Sequence, residues 1–271
     1  MKGFLLKDVT GSVTHGKEDR KYPEPMCCIS IDDGSQDDIT MMEYLSDINA
    51  EVFNDFASNS IPITYYLSVG HLAEPKKLEQ YYPGIIKQET FLLTQQALFN
   101  HYKDYGAEIG CHGWQHRDLL ETLDESVFDY WKKETIEAKK QLETWFNQEV
   151  NSYSFPYGKV PYSLACMLDE LNVFKSMRGY QLRYDWKVDS FHYPDILISE
   201  MFKLYKVISS EWSHGLPQRC YPDIHIAGHS KEFVELYKKD REKMMLLFKA
   251  LKVLGYKFVT ASNYYYQEVP F

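Results

Sequence analysis

Several features are scarce in this sequence, and each absence narrows the possible functions. No stretch of the 271-residue chain approaches the ~20 consecutive apolar residues that a membrane-spanning helix requires. The chain also lacks a long basic block, and its formal net charge is -9. We therefore expect neither nucleic acid nor an anionic membrane as a partner, because both attract basic surfaces. Internal repeats, linkers and low-complexity tracts are absent as well, so residues 1–271 are expected to form one domain.

Cysteine is rare and is not arranged in pairs. The chain has five cysteines, and no two of them form a C-x-x-C motif. An odd number without paired spacing is more typical of buried thiols in a reducing compartment than of disulfides. The first residues, Met1 to Asp8, hold too short an apolar run for a secretory signal peptide. We therefore expect a cytoplasmic protein.

Apolar patterning predicts short strands that alternate with helices. Apolar runs too short for helices predict strands at residues 27–31, 61–67, 107–111, 150–155, 173–177, 223–229 and 256–260. Helical periodicity predicts helices at residues 37–48, 91–102, 125–146, 161–171, 200–210 and 233–254. Residues 1–25 are predicted to form an irregular arm. The alternation indicates a mostly parallel sheet covered by helices, either a barrel or an open wound sheet.

The first predicted strand ends abruptly in Asp32, Asp33 and Gly34. In α/β folds, functional residues collect at the carboxyl ends of the parallel strands. Two adjacent carboxylates repel each other, and they persist most readily when a metal binds one of them or when their pKa values are driven apart. Successive strand residues point to opposite faces, so we expect a separate role for each carboxylate. The alternative is that Asp-Asp-Gly is only a turn.

Histidines follow two other predicted strands. Because the carboxyl ends of parallel strands lie on one side of a sheet, His112, His116 and His229 are expected in one site with the aspartates. His112 and His116 are four residues apart, so on one helical turn both imidazoles would face the same cation. With a carboxylate they would form a three-ligand site suited to zinc or another divalent ion. Alternatively, the first two are unrelated surface or capping residues, and His229 is a core histidine.

Such a site would contain the parts of a hydrolase. A metal ion acidifies water and polarises a carbonyl group. A free carboxylate can take the proton of the water, and a histidine on the opposite side can protonate the leaving group. Backbone N–H groups at the turn formed by Pro156, Tyr157 and Gly158 could hold an oxyanion, although this segment could also be only a turn.

Four motifs, in this order, resemble those of the polysaccharide deacetylase (NodB-homology) family, carbohydrate esterase family 4. They are Ile31-Asp32-Asp33-Gly34, His112-Gly113-Trp114-Gln115-His116, Phe155-Pro156-Tyr157-Gly158 and Ile226-Ala227-Gly228-His229-Ser230. The resemblance covers roughly residues 26–262, nearly the whole chain. It implies an α/β fold with a single distorted (β/α) barrel of the seven-stranded NodB type and parallel strands. It also implies metal-dependent removal of an N- or O-acetyl group from a sugar.

The resemblance further implies a role for each residue of the site. Asp32 is implied as the general base, His229 as the general acid, and Tyr157 as the donor of a backbone N–H to the oxyanion. One divalent metal ion is implied, with zinc as the first expectation and nickel, cobalt or manganese as alternatives. The ligands implied for it are Asp33, His112 and His116.

The chain also departs from the family pattern. Many family members carry an arginine where this chain has Ser154, and that arginine supports the catalytic aspartate. Arg178, at the end of the next predicted strand, is the candidate to supply this cation and to bind the substrate. Trp186 could form a wall of the acetyl pocket or simply pack in the core. Residues 179–222 match the family poorly, so the resemblance does not identify the sugar.

The sequence therefore predicts a metal-dependent carbohydrate deacetylase that acts on an N-acetylated sugar or glycan. A nucleotide- or lipid-linked glycan precursor would be one such substrate inside a cell. Two alternatives stay open. One is a hydrolase of cyclic amides or imides with the same fold, and the other is a catalytically inactive sugar-binding protein.

Overall fold

The computed structural model describes residues 25–53, 60–83, 91–120, 127–179, 191–192, 196–213 and 223–264. Within these residues there is one sheet of nine strands, and its strand pairs are parallel. The strands are β1 (Met26–Ile31), β2 (Thr64–Leu67), β3 (Glu108–Cys111), β4 (Ser152–Ser154), β5 (Ser176–Arg178), β6 (Phe191–His192), β7 (Ile196–Leu197), β8 (Ile224–Gly228) and β9 (Lys257–Val259).

The sheet has the strand order β6-β5-β4-β3-β2-β1-β8-β7, and β9 pairs with β1. All residues of β1 are buried, and all but Ser30 are apolar, as expected for a strand that is covered on both faces. The sheet curls into a half-barrel, and the predicted distorted (β/α) barrel with parallel strands is confirmed. Each predicted strand overlaps an observed one. Strands β6 and β7 were not predicted, and they lie within residues 179–222, which match the family poorly.

Helices pack against this sheet. They are α1 (Gln36–Ile48), α2 (Val69–Ala73), α3 (Pro75–Tyr81), α4 (Phe91–Tyr105), α5 (Val127–Lys132), α6 (Ala138–Phe146), α7 (Tyr162–Glu170), α8 (Met201–Ser213), α9 (Ser230–Lys239), α10 (Arg241–Val253) and α11 (Ala261–Tyr264). Two π-helical turns, Asn49–Phe53 and Lys133–Glu137, and two 3₁₀ turns, Pro156–Gly158 and Ile198–Glu200, complete the described elements.

Two of the predicted helices are wrong in their continuity. The helix predicted over residues 233–254 is broken at Asp240, whose backbone leaves the helical region with φ -158° and ψ 77°. The Asp240 side chain accepts a hydrogen bond from the backbone N–H of Lys243 and so caps α10. The helix predicted over residues 125–146 is interrupted by the π-helical turn Lys133–Glu137. Both segments consist of good helix formers, so their periodicity gave no sign of a break.

Strand β1 directs its side chains alternately to the two faces of the sheet. Cys27, Ile29 and Ile31 pack in the main hydrophobic core with the helices. Ser30 points the other way, and its hydroxyl lies 2.8 Å from Nε2 of the buried His225 on β8. Residue 32 is two positions after Ser30 and therefore shares its face of the strand. The alternation thus directs the side chain of Asp32 into the half-barrel.

Two further predictions can be compared with the structure. Cys27, Cys28, Cys111 and Cys166 are thiols and not disulfides, as predicted, while Cys220 lies outside the described residues.

No helix in the described ranges combines the length and the apolar character needed to cross a membrane. The predicted N-terminal arm falls almost entirely on residues 1–24, which are also outside the described part of the chain.

Asp38, on α1, is a buried carboxylate that joins three elements. Its Oδ1 accepts a hydrogen bond from the Ser230 hydroxyl at 2.5 Å, and its Oδ2 accepts one from the Tyr102 hydroxyl at 2.5 Å. Burial raises the pKa of Asp38 to about 7. The folded state therefore holds a proton on Asp38 that the unfolded chain releases at a lower pH.

This raised pKa predicts a pH-dependent effect of Asp38→Asn on stability. Between about pH 4 and about pH 7 the folded wild type binds the additional proton, so its free energy of unfolding falls as pH rises. From about pH 4 to about pH 7, the free energy of unfolding of wild type should therefore fall by about 3 kcal/mol relative to that of Asp38→Asn. Urea unfolding of both proteins at several pH values measures the difference. A difference that does not change with pH would contradict the prediction.

Candidate active site

The two adjacent aspartates at the end of β1 point to different partners. The backbone N–H of Asp32 still donates to the carbonyl of Gly228, at 2.9 Å, as part of the sheet. Asp33 and Gly34 both have φ 75°, in the left-handed region, so the chain turns sharply after Asp32. This turn sends the Asp33 carboxylate away from Asp32 and towards the loop after β3. The two carboxylates therefore occupy separate environments, as their expected separate roles require.

Asp33 lies between the two histidines of the loop after β3. Its Oδ1 is 3.3 Å from Nε2 of His112 and 3.0 Å from Nε2 of His116. The three ligand atoms lie within 4.8 Å of one another. Burial opposes ionisation of Asp33, but the neighbouring imidazoles hold its pKa well below its usual range. The Asp33 side chain is therefore a carboxylate.

These three residues fit a divalent metal ion. Asp33 Oδ1 is buried and forms no well-aligned hydrogen bond within the described residues, although two imidazole nitrogens approach it. A cation among the three atoms would satisfy this oxygen, which is otherwise expensive to bury. The backbone carbonyl of Ser154 accepts a hydrogen bond from Nδ1 of His112 at 2.7 Å, which leaves Nε2 as the ligand atom of the neutral ring.

The segment that carries the two histidines is not a helical turn, so that part of the prediction is wrong. Residues 112–118 form a loop in which Gly113 has φ 88° and His116 has φ 56°. The loop, and not the four-residue helical spacing, brings both Nε2 atoms to Asp33. Left-handed positions of this kind leave no periodic signal in a sequence.

Asp32 forms a buried ion pair with Arg178. One Nη of Arg178 donates to Asp32 Oδ1, and the Arg178 side chain is fully buried. The guanidinium also lies over the ring of Tyr66, 5.1 Å from its centroid. Burial by itself would raise the pKa of Asp32, but the charge of Arg178, the neighbouring His112 and the hydrogen bond from Arg178 together outweigh it and lower the pKa. Asp32 is thereby kept ionised and able to accept a proton.

The register of the sheet explains how Arg178 reaches Asp32. Ser154 on β4 and Arg178 on β5 are directly paired across neighbouring strands. Paired residues of parallel strands lie at the same level of the sheet and project to the same side. Arg178 therefore lies at the level of Ser154, one strand further along the sheet, and from there its cation meets Asp32.

His229 lies beside the other oxygen of the Asp33 carboxylate. It follows β8 directly and precedes α9, and its Nε2 lies 3.3 Å from Oδ2 of Asp33. The interaction with Asp33 is the main cause that raises the pKa of His229 to about 9. The side chain is half exposed, so it can meet both Asp33 and a molecule that enters from solvent.

Tyr157 lies at the rim of the same site. It is the central residue of the 3₁₀ turn Pro156–Gly158 and has φ 56° and ψ 9°. Tyr157 is 59% exposed, and its ring centroid is 4.7 Å from that of His116. The turn thus brings the ring of Tyr157 beside one of the two histidines.

A family comparison identifies the group to which this arrangement belongs. The family profile described as polysaccharide deacetylase matches residues 19–173, more than half of the chain. The chain belongs to the polysaccharide deacetylase family. The matched segment contains both aspartates of β1, the loop with His112 and His116, and the turn with Tyr157. A comparison with curated protein sequences finds no match.

Solved structures of carbohydrate esterase family 4 share the fold of this polysaccharide deacetylase family member. A peptidoglycan N-acetylglucosamine deacetylase (Bc1960) has a TM-score of 0.52 at 15% identity, over 90% of this chain and 89% of that one. A pseudoenzyme of the family from Bacillus anthracis has a TM-score of 0.53 at 12% identity, over 89% of this chain and 65% of that one. At such low identities these likenesses show the fold alone.

Sequence reasoning missed two residues near the candidate metal ligands. His71 on α2 is buried, and its Nδ1 donates to the carbonyl of Asp33 at 3.2 Å. Its ring stacks on that of Tyr81 at 4.0 Å, and burial lowers its pKa to about 4. His71 follows β2, so the rule that site residues follow strands could have found it. The second residue, Glu134, lies within a helical pattern that gives no such signal.

Trp186, which the sequence proposes as a wall of the acetyl pocket, lies outside the described residues, so its role stays a prediction. Arg178 differs from the expectation of a substrate contact, because its side chain is fully buried behind Asp32. This position favours a role as the counter-ion of Asp32.

Proposed function

We propose that this protein is a metal-dependent deacetylase that removes the acetyl group from an N-acetylated sugar. The observation that carries the proposal is the convergence of Asp33, His112 and His116 between an ionised Asp32 and a protonatable His229. Membership of the polysaccharide deacetylase family supports it. The name of one neighbouring structure, a peptidoglycan N-acetylglucosamine deacetylase, makes N-acetylglucosamine the first sugar to test.

Each residue of the site can carry out one step of amide hydrolysis. Zinc held by Asp33, His112 and His116 would supply Lewis acidity to the acetyl carbonyl and to the attacking water, and nickel, cobalt or manganese could take its place. Asp32 accepts a proton from the water as the oxygen bonds to the acetyl carbon. The pairing with Arg178 keeps Asp32 ionised for this step.

The remaining steps belong to Tyr157 and His229. The backbone N–H of Tyr157 donates to the oxyanion that develops on the acetyl oxygen. His229 donates its proton to the sugar nitrogen as the C–N bond breaks, so the products are acetate and a free amine. A cytoplasmic location and a nucleotide- or lipid-linked glycan precursor as substrate are parts of the proposal that rest on the sequence.

Acetate release tests the proposal. Zinc-loaded wild type is incubated with N-acetylglucosamine oligosaccharides, and acetate is measured by an enzymatic assay. Asp32→Asn should lower the rate by roughly 10²- to 10⁴-fold, because it removes the general base. Bound zinc should not change, since Asp32 is not a ligand. Asp47→Asn, an exposed aspartate on α1, serves as the matched control and should keep the wild-type rate.

Two other outcomes would replace the proposal. Oligosaccharide binding without acetate release, unchanged by Asp32→Asn, would indicate an inactive sugar-binding protein, and some structural neighbours are described as pseudoenzymes. Hydrolysis of a cyclic imide by metal-free protein would indicate the amide or imide hydrolase.

A further inference from the structure

The loop of residues 112–116 carries both histidines of the proposed metal site without regular secondary structure. Gly113 and His116 lie in the left-handed region at φ 88° and φ 56°. A non-glycine residue such as His116 adopts this conformation only when its surroundings hold it there. The position of the two ligands therefore depends on groups outside the loop.

One side of the loop is held through its carbonyl groups. The carbonyls of residues 112, 113 and 114 accept hydrogen bonds from the Ser68 hydroxyl at 2.9 Å, the Val69 N–H at 3.1 Å and the Gly70 N–H at 2.6 Å. These donors follow β2, the strand next to β3. The segment after β2 thus fixes three consecutive peptide groups of the loop.

The other side is held through its amide groups by one carboxylate, Glu134. Oε2 of Glu134 accepts hydrogen bonds from the backbone N–H groups of Trp114 at 2.8 Å and Gln115 at 3.0 Å. Oε1 of Glu134 also accepts a hydrogen bond from the Gln115 N–H, at 3.2 Å. Glu134 is only 1% exposed. Hydrogen bonds to a charged acceptor are stronger than neutral ones, and burial strengthens them further.

The backbone around Glu134 is arranged for this contact. Glu134 lies in the π-helical turn Lys133–Glu137, which interrupts an otherwise α-helical segment. A Cβ atom placed on Gly113 would lie 2.8 Å from Oε2 of Glu134, so any other residue here would push the carboxylate out of its present position. Gly113 is therefore required both by its left-handed φ and by the approach of the carboxylate.

We infer that Glu134 is a positioning residue that holds the loop so that His112 and His116 meet Asp33 before any metal binds. The inference rests on the proposed metal site and assigns Glu134 no contact with metal or substrate. Groups that orient ligands from behind typically change metal affinity when they are replaced. Glu134 acts through the two backbone amides between the ligands, and not through the imidazoles themselves.

Zinc affinity of the full chain, measured by competition with a chromophoric chelator, tests this role. Glu134→Gln removes the charge, and Glu134→Asp keeps the charge but shortens the reach. Both should bind zinc roughly 10- to 100-fold more weakly than wild type. Glu137→Gln, an exposed glutamate of the same π-helical turn, should bind as wild type does. Hydrogen exchange of the Trp114 and Gln115 amides in zinc-free protein should be faster in both Glu134 variants.

The outcomes separate this inference from the proposed function. If wild type and both Glu134 variants bind zinc equally well, the positioning role is overturned and the metal site stands, even if a variant melts at a lower temperature. If wild type binds no zinc, the metal site and the positioning role are both overturned. If Glu134→Gln does not fold, Glu134→Asp alone is compared with wild type. Weaker zinc binding by Glu134→Asp then supports the positioning role, and equal binding overturns it.

Discussion

Replacement of His112 by alanine is expected to remove stoichiometric zinc and, with it, acetate release. The proposed site has only three protein ligands, and His112 is the most deeply buried of them. Its Nε2 approaches Asp33 because Nδ1 is held by the Ser154 carbonyl. With two ligands left, affinity should fall far below that of a three-ligand zinc site.

Elemental analysis after gel filtration measures this loss. Wild type should retain about one equivalent of zinc, as expected for a single three-ligand site, and His112→Ala should retain little. His101→Ala, which changes an exposed histidine on α4, is the matched control and should retain the wild-type amount. One full equivalent of zinc in His112→Ala would show that the ion binds elsewhere.

Arg178→Met is expected to destabilise the fold and to inactivate the site together. The substitution leaves Asp32 buried without its counter-ion, and breaking a buried pair in this way costs about 3 kcal/mol of the free energy of unfolding. Asp32 can escape this cost by taking up a proton, but it then no longer acts as a base. Acetate release should therefore fall by roughly 10²-fold or more at neutral pH.

The pH dependence of this destabilisation follows from the pKa of Asp32. In the wild type this pKa is lowered, so the pair stabilises the fold above the unfolded pKa of about 3.9, and the stabilisation is lost as pH falls through the folded pKa. The difference in unfolding free energy between wild type and Arg178→Met should therefore shrink in acid. Urea unfolding at neutral and acidic pH measures it.

A double-mutant cycle tests whether the effect acts through Asp32. In an Asp32→Asn background the carboxylate is gone and the buried Arg178 is itself the uncompensated charge, so Arg178→Met should destabilise the protein much less than in wild type or even stabilise it. An equal loss in both backgrounds would mean that the packing of Arg178 on Tyr66, and not the ion pair, stabilises the fold. Arg178→Lys keeps the charge but loses the planar fork, and its stability should lie between the two extremes.

Much of the fold could be predicted because its signals are local. A buried parallel strand is a short apolar run, and its carboxyl end is marked where polar residues begin. Every candidate site residue within the described ranges lies near the carboxyl end of β1, β3, β4, β5 or β8. The tendency of functional residues to collect at the carboxyl ends of parallel strands therefore indicates which segments meet. It does not give the distances between their side chains.

The wrong predictions share one physical cause. The break at Asp240 depends on a cap within a segment of good helix formers, and the loop between His112 and His116 depends on left-handed backbone positions. Both conformations are stabilised by specific hydrogen bonds, which residue periodicity does not report. A helical spacing of two histidines was for this reason misleading about the backbone between them.

By itself, the sequence determined the family, the parallel sheet and the residue types of the candidate site, because each of these is written in short motifs or in periodicity. Only the tertiary structure decided which groups act in pairs. Arg178 meets Asp32 across 146 residues because β4 and β5 are in a particular register. Glu134 meets the amides of the histidine loop because a π-helical turn lies behind that loop. Such contacts depend on how distant elements pack, and no local pattern encodes that packing.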